Sequence, residues 1–92
     1  MSGHELEQLI RRIDPDLPIE TPEKEPDVRR VRGEAVVYFA EMKTGDRSVV
    51  VFNQAFPDDF GIPQQRVFPI ADFDSEEDAV RAALSWALPK WP

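Results

Sequence analysis

The sequence predicts an α+β domain: a three-stranded antiparallel meander with a C-terminal helix packed on one face. Three observations support this prediction. Two runs of β-branched and aromatic residues flank a turn that contains glycine. Apolar residues near both ends of the chain follow the spacing of an amphipathic helix. The connections between strands are short, which places consecutive strands side by side.

The two strongest strand signals form a β-hairpin. Residues 35–40 and 49–52 consist mainly of valine, phenylalanine, tyrosine and alanine, and most of these favour a pleated, half-buried surface. Lys43–Asp46 lies between them, and Gly45 adopts the positive φ of a tight turn without steric cost. Both runs are nearly continuous rather than alternating. They therefore indicate either strands covered on both faces or one face covered by both helices.

The remaining strand signals are weaker. Residues 28–33 are predicted to extend the first strand, with Gly33 as a bulge or bend. Residues 53–65 contain two prolines and one glycine, so we expect a loop there. Residues 66–71 are predicted to form the third strand. Pro69 cannot donate a ladder hydrogen bond, which places this strand at a sheet edge.

An amphipathic N-terminal helix is predicted over residues 1–13. Its apolar stripe consists of Leu6, Leu9, Ile10 and Ile13. Ser2 precedes Glu5 by three residues, the spacing of a capping box, and Pro15 ends the helix. A helix of about twelve residues is marginal alone in water. The stripe must therefore pack on this domain, on a second copy or on another protein.

The C-terminal helix begins after Asp74 or Ser75, either of which is a good N-cap residue. Acidic residues fill its first turn, where the helix dipole favours negative charge. Its predicted buried stripe consists of Val80, Ala83, Leu84, Ala87 and Leu88. Pro89 then ends the helix.

Residues 14–27 divide the chain into an N-terminal helix (1–13) and a core (28–92) within one small domain. This segment holds four prolines, and six carboxylates against one lysine. Such a composition predicts a stiff, extended connector. Leu17 and Ile19 are its only large apolar residues, and they are expected to hold it against the domain surface. Its negative charge is expected to lie along the arginines Arg29, Arg30 and Arg32.

Composition argues against several function classes. The chain has no cysteine and a single histidine, so it offers no thiolate metal site and no nucleophile–histidine pair. Asp59-Phe60-Gly61 matches a kinase magnesium motif without the rest of its machinery. The acidic alternation over 72–78 lacks the later residues of a calcium loop. We therefore predict no cofactor and no enzyme activity.

Charge and hydropathy bear on location and partners. A net charge of −7 disfavours nucleic acid and anionic membranes. The N-terminus does not resemble a secretory signal, and no apolar run is long enough to cross a bilayer. We therefore expect a cytoplasmic protein without a membrane partner.

The function hypothesis that remains is a small non-enzymatic protein-binding module, such as an adaptor, inhibitor or regulatory subunit. Its partner would be another protein or a second copy of the chain. The candidate partner-binding residues are the apolar residues of irregular segments and the helix stripe: Phe56, Phe60, Ile62, Trp91, Leu6, Leu9, Ile10 and Ile13. One alternative is a small enzyme or ligand carrier with a pocket between the sheet and loop 53–65. Another is a nucleic-acid binder that uses Arg29, Arg30 and Arg32.

Overall fold

The computed structural model describes residues 2–92, without the side chains of Ser2 and Phe56, and shows two helices packed on a five-stranded antiparallel sheet. The strand order follows the chain, so the sheet is a simple meander. The elements are α1 (Ser2–Ile13), β1 (Ile19–Glu20), β2 (Val28–Val31), β3 (Ala35–Glu41), β4 (Arg47–Pro57), β5 (Pro63–Pro69), a short 3-10 turn (Ile70–Asp72) and α2 (Glu76–Ala87). The α+β class with two helices and an antiparallel sheet is confirmed, but the predicted number of strands is wrong.

One additional strand comes from residues 28–33, which do not extend the first predicted strand. The chain reverses after Val31, and Arg32 there has a φ of 57°, in the left-handed region. Glu34 N donates to Val31 O across this turn at 3.2 Å. Residues 28–31 therefore pair antiparallel with β3 as a separate strand.

The predicted connector 14–27 is not a spacer, because it supplies another strand and part of the core. Leu17 is buried with the helix residues, and Ile19 pairs with Val31 across β1 and β2. Pro26 and Asp27 lie directly against α1. A methyl group at Gly3 would overlap the carbonyl oxygen of Pro26 and stand 2.9 Å from Asp27 Cα.

The prediction of a loop over residues 53–65 is also wrong, because most of this segment continues the sheet. β4 runs on to Pro57, and β5 begins at Pro63 opposite it. The register is irregular between Phe52 and Pro57, and the two prolines lie where the ladder ends. Their missing N–H groups therefore interrupt no central pairing.

The central hairpin of β3 and β4 is confirmed. Tyr38 lies opposite Val50, Met42 N donates to Asp46 O at 2.7 Å, and Gly45 has a φ of 87°. β5 is an edge strand that ends at Pro69, and the chain then enters the 3-10 turn.

Both helices lie on the same face of the sheet. α1 packs on β2 and β3, α2 packs mainly on β4 and β5, and the helices touch each other. Ser75 caps α2, since its Oγ accepts from Asp78 N at 3.1 Å. The core contains the fully buried residues Leu6, Ile10, Val31, Val37, Val49, Val51, Val80, Leu84 and Leu88. The N-terminal helix therefore packs on its own domain.

Candidate functional site

The sheet has one face without a helix, which we call the open face. Side chains alternate between the two faces of a strand, so the residues that neighbour the core positions point away from the helices. The register arranges them in three cross-strand rows. These rows are Glu20–Arg30–Val36–Phe52–Gln65, Val28–Tyr38–Val50–Val67 and Ala40–Ser48–Pro69.

The open face is mostly apolar. Valine, phenylalanine, tyrosine, alanine and proline occupy most of its positions, and only Glu20 and Arg30 are charged. These two lie at the β1–β2 edge and approach each other to 3.9 Å. No helix or strand among residues 2–92 covers this face. The solvent side of an antiparallel sheet is ordinarily polar, so this composition needs an explanation.

The centre of the open face is ordered by Tyr38. Its hydroxyl is 3.3 Å from Gln65 Nε2, which donates to it from β5. Because β4 separates β3 from β5, the tyrosine ring must lie across β4 to make this bond. Val50 is 3% exposed although it stands outside the helix-side core. The ring therefore lies over β4, where Val50 is its cross-strand partner.

One end of the open face forms an apolar groove. It is an open concavity of about 550 Å³ beside the β3–β4 turn, lined by Met42, Val67 and Pro69 with Lys43 at its side. Met42 is 54% exposed and Val67 is 48% exposed. Large apolar side chains with this much exposure are unusual when they cluster.

The opposite end carries the tip of the β4–β5 hairpin, residues 58–62. Asp58 Oδ1 accepts from Phe60 N at 2.8 Å and from Ile62 N at 3.0 Å, which fixes the turn. Phe60 is nonetheless 88% exposed and Ile62 is 60% exposed. The tip is thus an ordered loop with two apolar side chains in solvent.

The predicted site residues of α1 lie elsewhere. Leu6 and Ile10 are fully buried, and Leu9 and Ile13 are half-buried against the same core. The burial of Leu6 and Ile10 leaves them no surface for a partner, so of the three packing options for this stripe the structure shows packing on its own domain.

The other predicted partner-binding residues differ in their exposure to solvent. Trp91 packs on the core, and its Nε1 donates to Asp14 Oδ2 at 2.9 Å. The side chain of Phe56 is outside the described part of the chain. Phe60 and Ile62 are the predicted residues that the structure leaves exposed. The predictions missed the open face itself, whose signal was the near-continuous apolar pattern of β3 and β4.

The arginine cluster pairs differently from the prediction. Arg29 is buried and donates to Glu7 of α1 at 2.9 Å and to the Pro26 carbonyl at 2.6 Å. Arg32 pairs with Glu34 at 2.8 Å. Arg30 alone of the three pairs with a carboxylate of segment 14–27, and it does so at long range.

Two of these glutamates have perturbed acidity. Burial opposes ionisation of Glu7, but hydrogen bonds from Arg29 and Arg11 outweigh it and lower its pKa below the ordinary value. A hydrogen bond from Arg32, with another from Asn53, lowers the pKa of Glu34. Both carboxylates are therefore held as ions by their donors, which is the behaviour of structural pairs.

A second concavity, of about 570 Å³, lies between the first turns of the helices and the β3–β4 turn. Arg47 Nη1 bridges Glu5 at 3.1 Å and Glu76 at 3.2 Å there, and the guanidinium covers the Phe39 ring. A hydrogen bond from Arg47 to Glu5 raises the pKa of this arginine. Both carboxylates already bind Arg47, so this concavity is weaker evidence for a ligand site than the groove.

No group of three or more histidine, aspartate or glutamate side chains among residues 2–92 is arranged to hold a metal ion. Within the same range, the helices are too short and too polar to cross a membrane. Comparisons with known protein families, with curated proteins and with solved structures found no match.

Proposed function

We propose that this chain is a small non-enzymatic protein-binding module and that the open face is its binding surface. One observation carries the proposal: an apolar sheet face that no described element covers. A contiguous apolar surface of several hundred Å² is a recognised mark of protein interfaces.

The composition of the face suits an interface core. Tyr38 and Phe52 are aromatic anchors of the kind that dominate binding energy. The bond from Gln65 favours the orientation of Tyr38 across β4, which reduces the side-chain entropy lost on binding. The charged pair Glu20–Arg30 lies at the rim, where charges cost least.

The sheet edges are poorer binding sites than the face. β5 has Pro63 and Pro69 at its ends, and β1 is only two residues long. Prolines and short edge strands are common protections against strand addition. These features favour a partner that packs on the face over one that adds a strand.

The other two function classes have less support. Segment 53–65 belongs largely to β4 and β5, and the groove lies at the other end of the sheet. The three arginines already have carboxylate partners.

A capture experiment tests the proposal. Immobilised wild-type protein is compared with Val67→Lys, which places a cation on the open face at a half-exposed position of the edge strand β5. Ser85→Lys is the matched control, because Ser85 is an exposed residue of α2 on the helix side. We expect a partner protein to be retained by wild type and Ser85→Lys and lost by Val67→Lys. Equal retention by all three forms would exclude the open face as the binding surface.

A further inference from the structure

We propose that the partner of the open face is a second copy of this chain, and that the tip of each copy enters the groove of the other. This inference rests on the proposed function of the open face. The open face would bind one kind of partner, a second copy of the chain, in one arrangement.

The first argument is the position of charge. The chain carries −7, which by itself opposes self-association. The interior of the open face is nevertheless free of charged side chains, and the Glu20–Arg30 pair at its edge is neutral overall. The acidic residues Glu23, Glu25, Asp58 and Asp59 lie in turns beyond the strand ends. Two open faces can therefore meet without placing like charges against each other at the centre.

The second argument is area. The strands have two, four, seven, eleven and seven residues, and at about 4.8 Å between strands and about 3.4 Å per residue they present roughly 500 Å². Two such faces bury roughly 1,000 Å², which is at the minimum of about 1,000 Å² for a specific interface. The face is therefore large enough for a weak dimer and small for a permanent one. We expect dissociation in the micromolar range, on the order of 1–100 μM.

The third argument is the placement of the tip and the groove. β4 begins at Arg47 beside the groove and ends at Pro57 beside the tip. Its eleven residues separate the two features by roughly 30 Å. A twofold axis that crosses the strands near the middle of β4 exchanges the two ends of the sheet. It therefore places each tip over the groove of the partner copy, as an isologous dimer requires.

The tip and the groove also match chemically. Phe60 and Ile62 are apolar and exposed, and the groove is lined by apolar side chains such as Met42 and Val67. Lys43 and Asp46 also line the groove and balance each other in charge, and Arg47 there already pairs with Glu5 and Glu76. The proposed contact therefore rests on the match between an apolar anchor and an apolar concavity.

Sedimentation equilibrium is the first test. Wild-type protein at 1–200 μM is expected to show a mass that rises from monomer to dimer. Phe60→Ser and Val67→Lys are each expected to raise the dissociation constant of the dimer at least tenfold, while Ser85→Lys leaves it unchanged. Because Phe60 and Val67 are exposed, circular dichroism should show both variants folded.

Disulfide trapping is the second test, and it reports on the arrangement. The chain has no cysteine, so every introduced thiol is unique. Met42→Cys and Phe60→Cys proteins are mixed and oxidised, and the mixed disulfide is quantified by mass spectrometry. We expect it to exceed both symmetric disulfides and the product of Phe60→Cys with Ser85→Cys. A disulfide within one chain is excluded, because each variant carries a single thiol.

A monomeric wild-type protein at 200 μM would overturn the inference, and so would a dimer without excess Met42–Phe60 disulfide. The two proposals fail separately. If wild type is a monomer and the Val67→Lys variant no longer captures a heterologous protein that wild type captures, the dimer is excluded and the protein-binding face is supported. If wild type is a monomer and Val67→Lys changes no capture, both proposals are excluded.

Discussion

Asn53 shows how one residue connects the sheet to a helix end. Its side chain is fully buried, and Nδ2 donates to Ala87 O at 2.7 Å and to Glu34 Oε1 at 3.1 Å. Its Oδ1 accepts from Ala55 N at 2.7 Å. Ala87 is the last residue of α2, where carbonyl groups lack an intrahelical donor. Asn53 supplies that donor from β4.

The first prediction concerns this amide. Asn53→Asp keeps the shape but replaces two donors by an anion beside Glu34 and a carbonyl oxygen. We expect a loss of about 3 kcal/mol in unfolding free energy at pH 7, measured by urea denaturation. Asn53→Ala should cost about 2 kcal/mol, since it leaves the Ala87 carbonyl unpaired without adding charge. A smaller loss for Asn53→Asp than for Asn53→Ala would contradict this account.

The second prediction concerns Glu7, whose pKa is lowered in the folded protein. A carboxyl group whose pKa is lower in the folded state than in the unfolded state stabilises the fold at pH values above its unfolded pKa. This stabilisation is lost as the pH falls through the folded pKa. Wild-type stability should therefore decline below about pH 4.3, the ordinary glutamate pKa. Glu34 has the same sign and adds to the decline.

Glu7→Gln tests this contribution. We expect the variant to be about 1 kcal/mol less stable than wild type at pH 7, and we expect this difference to shrink as the pH falls below the ordinary glutamate pKa, because protonation removes the charge of Glu7. The control is Glu23→Gln at an exposed turn position outside the ion pairs of the described residues. A Glu7→Gln deficit that persists unchanged at pH 3 would show that the Arg29 contact does not depend on charge.

At the scale of elements, α1 belongs to the core. Alone, a helix of twelve residues is marginal, so its stability must come from packing on β2, β3 and α2. Gly3 fits closely against Pro26 and Asp27, which shows that segment 14–27 and α1 stabilise each other. Removal of residues 1–13 would uncover Val31 and Val37 on the sheet.

The third prediction is that Leu6→Ala lowers the unfolding free energy by about 3 kcal/mol, because Leu6 is fully buried and its removal leaves a cavity. Gln8→Ala on the exposed side of α1 should change it by less than about 0.5 kcal/mol. Thermal or urea unfolding measures both. Equal small effects would mean that α1 is detached from the domain.

At the scale of the whole molecule, the meander places its best-protected strands in the middle. β3 and β4 each pair on both sides, and helices cover one face of them. β1 lies at the edge, and its two residues pair with only one neighbour. Local opening requires the least disruption where paired and packed groups are fewest.

The fourth prediction follows from this order. In native-state hydrogen exchange, the paired amides of β3 and β4 should be the slowest, and those of β1 and β5 should exchange faster through local opening. The amide of Arg32 donates to Pro18 O at 2.8 Å, so it should be protected relative to the amides of Glu23 and Lys24 in the exposed turn. Arg32 and turn amides that exchange equally fast would mean that segment 14–27 does not hold to the sheet.

Local patterns predicted the elements whose signals lie within one segment. The helical spacing of α1, the Ser75 cap of α2 and the glycine turn between β3 and β4 are decided by neighbouring residues. The patterns failed for β1, β2 and the extension of β4. These strands are short, charged or bounded by prolines, and pairing with a distant strand stabilises them.

The sequence by itself determined that the chain forms two amphipathic helices and a glycine-turn hairpin, because dihedral preferences and side-chain periodicity act over a few residues. The tertiary structure alone decided that both helices cover the same sheet face. This packing buried Leu6 and Ile10 and left Tyr38, Phe52 and Val67 on the other side. The reason is physical: nearly continuous apolar strands offer two equivalent faces, and only the competition among helices and connections for contact area selects the one that stays open.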